Sequence, residues 1–407
     1  MKTKSTFLLV LVVTVGIFLQ TAKAIDPITV SGSNSADGTY ASLTNIGGAF
    51  AALNGTSQAG QTITISISGD VTTEDGATGL TGAAGLWTSL TINPSGIRTI
   101  SGLVDGKPLI DLNGADNVTI DGLNSGGNSL TITNTSTSNT AGTSTIRFIN
   151  DASTNTIKNC TLKGSSTDPA GGILLFSPTT GTIGNDGNTI DHNDITNAGG
   201  NRPVNAIYSL GQTGTGLENS GNAISNNNIY DFLNRGTDSN GVFLGNYNTA
   251  WTISGNSFYE TQNFVPTSDF IYYVLRINSS SGTNFTVSNN NIGGSAASCA
   301  GISAWNKINT SSNFFYGIYI NVGTAIASNL QGNIITNFNW SNSGGATWFG
   351  ISASGNVNIG TTAGNVIGAS TGTNAIKYNN NSVGTYFKGI SLSAFTGVVQ
   401  NFPLMPR

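Results

Sequence analysis

The chain has 407 residues, 54 of them glycine, only 8 % charged residues and a formal net charge of −4. An acidic, lysine-poor chain argues against nucleic acid or an anionic membrane surface as partner. A hydrophobic content of 37 % that recurs at fixed offsets excludes a disordered chain, and two cysteines with a single histidine exclude a disulfide framework or zinc-ligand spacing.

Residues 1–24 read as an export signal: Lys2 and Lys4 precede an apolar run from Phe7 to Leu19, followed by Ala22-Lys23-Ala24. Its removal takes the net charge to −7. No later run is long and apolar enough for a membrane helix, so the expected location is secreted or at the outer cell surface. Residues 25–60 are expected to cap the fold. Tyr40, Leu43, Ile46, Phe50 and Leu53 fall at helical spacing and predict a short amphipathic helix over the first strand edges. No comparable lid is evident at the other end. The tail 396–407 is expected to fold over the last coil or to lead into a longer product.

Between them, residues 61–395 carry a repeat that reads apolar, two residues, Asn, one residue, apolar. It appears as Ile190-Asp-His-Asn193-Asp-Ile195, Ile224-Ser-Asn-Asn227-Asn-Ile229, Ile253-Ser-Gly-Asn256-Ser-Phe258, Val287-Ser-Asn-Asn290-Asn-Ile292 and Leu330-Gln-Gly-Asn333-Ile-Ile335. Earlier copies begin at Ile120 and Ile157, with Leu123 and Cys160 at the Asn position. A constant motif with irregular spacing predicts a fixed core cross-section and loops of variable length. The fold expected is an all-β, right-handed parallel β-helix of about 10 coils, ~48 Å long at ~4.8 Å per strand. The asparagines should stack as one hydrogen-bonded ladder. The preceding column, Gly122, Asn159, His192, Asn226, Gly255, Asn289 and Gly332, should form a left-handed turn. Four coils would separate Cys160 from Cys299, too far for a disulfide.

These features resemble the pectin-lyase-like β-helix superfamily. Leu90-Thr-Ile-Asn-Pro-Ser-Gly and Ile110-Asp-Leu-Asn-Gly-Ala-Asp-Asn-Val-Thr-Ile-Asp-Gly122 are similar to large surface β-helix proteins of Bacteroidetes-type bacteria. The resemblance spans roughly 60–395 and implies the fold. It leaves function open among lyases, hydrolases, adhesins and stalks.

No catalytic residues, cofactor or metal are expected. The clustered aspartates, Gly-His-Gly and Arg-x-Lys of polygalacturonase-type enzymes are missing from the sequence. His192, between Asp191 and Asp194, reads as a turn residue, and Asp186, Asp191 and Asp194 are too few for a calcium site. Taking Ile173, Ile207, Val242 and Ile302 as inward, alternation points Leu174, Phe176, Tyr208, Leu210, Phe243 and Trp305 outward, with Arg147 and Arg276 on the same row. Of these, Arg147, Phe176, Tyr208, Phe243, Arg276 and Trp305 are the candidate contact surface for a polysaccharide or cell-surface partner. The function expected is a non-catalytic adhesin or glycan-contacting module; the alternative is a polysaccharide lyase or glycosidase.

Overall fold

The computed structural model describes residues 26–401 apart from 83–84, 179–180, 370–374 and 381–385. The expected export signal lies outside the described residues, as do residues 402–407 of the tail. Each coil contributes a strand to three long sheets. In chain order the first sheet has 12 strands, the second 9 and the third 10. From Thr62–Ile67 onward neighbours in all three are parallel and come from successive coils. The protein is a parallel β-helix.

One aliphatic residue per coil fills each inward position. On the first sheet, Ile65, Ile92, Ile120, Ile157, Ile190, Ile224, Ile253, Val287, Leu330 and Ile359 lie in register, all buried. Each such side chain contributes roughly 1.5–3 kcal/mol by leaving water. The second sheet continues the pattern through Ile132, Leu162, Ile195, Ile229 and Phe258.

The predicted asparagine ladder is present and runs one coil further than expected. Asn193, Asn227, Asn256, Asn290, Asn333 and Asn365 are buried, and from Asn227 onward each side-chain oxygen accepts from both the backbone N–H and Nδ2 of its predecessor at 2.8–3.1 Å. It begins at Cys160, whose backbone N–H donates to Asn193. In the turn column Asn159, His192, Asn226, Gly255, Asn289 and Gly332 have φ between 53° and 68°. Gly122 is the exception: the left-handed residue there is Leu123, at 61°. Cys160 and Cys299 are free, and burial pushes both thiols up to about 12.

The cap differs from the expected helix. Only Ala49–Asn54 is helical. Phe50 and Leu53 are buried against the start of the third sheet, whereas Ile46 is exposed and Tyr40 ends a strand. Gly47 (φ 78°) and Gly48 interrupt the helical spacing, and glycine costs a helix about 1 kcal/mol. The first sheet's edge is covered instead by an antiparallel pair, Ile28–Ser31 and Gly38–Tyr40. Buried Glu74 ties the cap down by accepting from the backbone N–H groups of Leu43 and Thr44.

Candidate functional site

The third sheet supplies the site, and its strands bend. In its central strands two consecutive residues face inward, such as Ile173-Leu174, Ala206-Ile207, Val274-Leu275 and Gly317-Ile318, all buried. The register pairs Leu174, not Ile173, with Ile207. That one-residue difference turns Leu174 and Phe176 into the core, because side chains alternate with a period of two. Phe176 stacks on Phe148 at 4.3 Å and packs edge-on against Trp251. Leu175 takes the outward place. Leu210, just past the strand end, is half-buried.

Trp305 is not on this face either. It belongs to a separate three-stranded sheet, Trp305–Lys307 with Phe338–Asn342 and Ile376–Asn380. Its ring is buried among Phe232, Phe315 and Phe338. Ile302, expected inward, is fully exposed. The strand of that coil in the third sheet is Phe314–Val322, so Ile302 and Trp305 lie in an inserted segment.

The remaining four residues do share one outward column. In register it runs Asp111, Arg147, Leu175, Tyr208, Phe243, Arg276, Tyr319 and Ser352. Beside it lies a second outward column that sequence reasoning missed: Asn240, Tyr273, Tyr316, Phe349 and Lys388. The similar runs Tyr272-Tyr-Val-Leu-Arg-Ile-Asn278 and Phe315-Tyr-Gly-Ile-Tyr-Ile-Asn321 carry the signal for it.

Packing decides what this strip offers. Tyr273 and Tyr316 stack at 4.6 Å and 12°, and Tyr316 and Phe349 at 4.5 Å and 4°. Tyr319 meets Tyr273 and Tyr316 edge-on, as Tyr208 meets Phe243. Stacking occupies the faces of Tyr316 on both sides, so the strip presents ring edges and hydroxyls more than open ring faces. The hydroxyls of Tyr208, Tyr273, Tyr316 and Tyr319 have no hydrogen-bond partner among the described residues, and none is sealed from solvent. Burial pushes the Tyr273 phenol up to about 12, and also raises Tyr208 and Tyr316. These three hydroxyls are therefore protonated donors at neutral pH. Flanking the strip, where strands Ser239–Leu244, Ile271–Ser279 and Phe314–Val322 begin, a hollow of about 480 Å³ is lined by Asp238, Asp269, Phe270 and Phe314.

Two other groups deserve placement. His192 sits in its left-handed turn with Nδ1 2.6 Å from Asp191. Burial works against the Asp191 carboxylate, but hydrogen bonds from His192, Ser225 and Asn226 outweigh it and hold the group below its usual range. Among the described residues no three or more His, Cys, Asp or Glu side chains are placed to hold a metal ion, Asp186, Asp191 and Asp194 included. The second group is Arg202, Asp231 and Glu260, beside a hollow of about 320 Å³ that Arg202 and Arg235 help to line. Glu260 and Asp231 are both buried.

Comparison with family models, with curated proteins and with solved structures found no match to this chain.

Proposed function

We propose that this is a secreted or cell-surface β-helix protein of the pectin-lyase-like kind, non-catalytic, whose third sheet holds an extended polysaccharide. The observation that carries this reading is the strip from Tyr208 to Lys388, with four phenol hydroxyls and the Arg276 guanidinium directed away from the core. Donors set on strands ~4.8 Å apart, with a gap at Phe243, suit an extended polymer rich in oxygen acceptors. The strip is long and shallow, unlike the concave pockets that enclose small metabolites. The lyase or glycosidase alternative finds little support in the buried pair Asp231 and Glu260, whose carboxylates are turned into the protein and engaged with Arg202.

Replacing Tyr273, Tyr316 and Tyr319 together with Phe keeps the stacks and removes three donors. Stability should stay within about 0.5 kcal/mol per site, as for other surface changes. Retention in gels containing a panel of acidic and neutral polysaccharides should fall at least tenfold for any polymer the wild type binds. Unchanged retention by the triple variant would count against the strip. Release of unsaturated or reducing ends from any polymer would instead favour the enzyme.

A further inference from the structure

One outward column holds two arginines with opposite fates. Arg147 is neutralised: its Nε and Nη2 donate to the two carboxylate oxygens of Asp111 at 2.9 and 2.7 Å. Two strands beyond Tyr208, at Arg276, there is no such partner. Arg276 makes no ion pair among the described residues, and its Nε is shielded from solvent without a hydrogen-bond acceptor. Its guanidinium lies 4.2 Å from the Phe243 ring centre and 4.6 Å from that of Tyr273. The rings hold the fork in place without occupying the donors that lie in its plane.

No carboxylate among the described residues pairs with it directly. Asp168 accepts from the backbone N–H groups of Gly142 and Ala170, and Asp238 from that of Ile271. Tyr273 packs its ring against the guanidinium, and Tyr208 lies two strands away in the same column, beyond Phe243. Further along the strip Lys388 lies 5.3 Å from the ring centre of Phe349, exposed. The strip thus gathers a preorganised planar cation and protonated donors, the complement of an oxyanion.

Resting on the polysaccharide reading above, we infer that Arg276 is the specificity-determining residue of the strip and that the bound polymer is anionic, presenting a carboxylate or sulfate ester to the guanidinium. Tyr208 and Tyr273 supply further hydrogen bonds to the same polymer. Arg147, already paired, takes no part.

The test uses two matched pairs of polymers in affinity electrophoresis: dextran sulfate against dextran, and alginate against esterified alginate. At least one charged polymer should be retained more than tenfold more strongly than its neutral partner. That retention should decline as sodium chloride is raised towards about 1 M, where the screening length is about 3 Å. Arg276→Gln should lose at least tenfold, Arg276→Lys should fall between, and Arg147→Gln should bind as the wild type does. Retention of dextran sulfate alone identifies sulfate as the group; retention of alginate alone identifies carboxylate. Equal retention of charged and neutral polymers, or full binding by a folded Arg276→Gln variant, overturns the inference and leaves the polysaccharide reading standing. Retention of none of the four overturns both.

Discussion

Replacing Arg202 with Met should destabilise the protein by about 3–5 kcal/mol at pH 8, the usual cost of leaving a buried charge without its partner. Arg202 meets Glu260 with both ends of its fork, at 2.7 and 2.6 Å, and Asp231 at 3.2 Å. Asp231 also accepts from the backbone N–H and hydroxyl of Thr261, so the cluster ties together segments of successive coils. Burial pushes Glu260 up to about 7, outweighing the opposing pull of Arg202. Its pKa is raised on folding, so the proton is bound more tightly in the folded state. The associated stability is fully present below pH 4.5 and is lost as pH rises through about 7. Arg202→Met should therefore be better tolerated at pH 5 than at pH 8. Glu260→Gln should flatten the stability profile between those values by on the order of a few kcal/mol. Urea midpoints for the three proteins at both pH values check this; a wild-type midpoint for Arg202→Met at pH 8 would show that the cluster contributes nothing.

Asn227→Ala should cost about 3 kcal/mol or more. The Asn227 side chain accepts two bonds from Asn193 and donates to the Ile190 carbonyl and to Asn256, all within the core. Truncation leaves two buried donors of Asn193 without an acceptor, each worth about 1–3 kcal/mol. Asn228→Ala, one residue along, removes a single half-buried bond to Asp194 and should cost about 1 kcal/mol. Equal midpoints for the two variants in urea would mean that the ladder is not a cooperative part of the core.

The ladder and its turn were legible because each depends on one residue type at one offset. Asn193 to Asn333 needed only the spacing from the leading aliphatic, and the φ column needed only that Gly, Asn and His tolerate the left-handed region. A second stack, Asn155, Asn188 and Asn222, two residues before the leading aliphatics, is bonded in the same way but leaves a weaker sequence signal. Its pattern, Asn-x-Ile, is too short to stand out in so asparagine-rich a chain. The third sheet was harder for a different reason. Simple alternation fails where two successive residues face inward, so it points Leu174 and Phe176 outward although they lie in the core, while it puts Tyr208, Phe243, Arg147 and Arg276 on the outward column they occupy. Trp305 was lost to an inserted segment that forms its own small sheet. The mutual stacking of Tyr273, Tyr316 and Phe349 depends on ring orientation, which no periodicity encodes.

Covalent footprinting of surface side chains, with and without a retained polysaccharide, tests the central claim most directly. Tyr230 and Tyr259 provide the control, since they stack at 5.1 Å on the outward face of the second sheet and belong to no part of the strip. The account predicts that polymer lowers labelling of Tyr273, Tyr316 and Tyr319 at least several-fold and leaves Tyr230 and Tyr259 unchanged. Protection of Tyr230 and Tyr259, or of the hollow beside Arg202 and Arg235, with the strip labelled as before would contradict it.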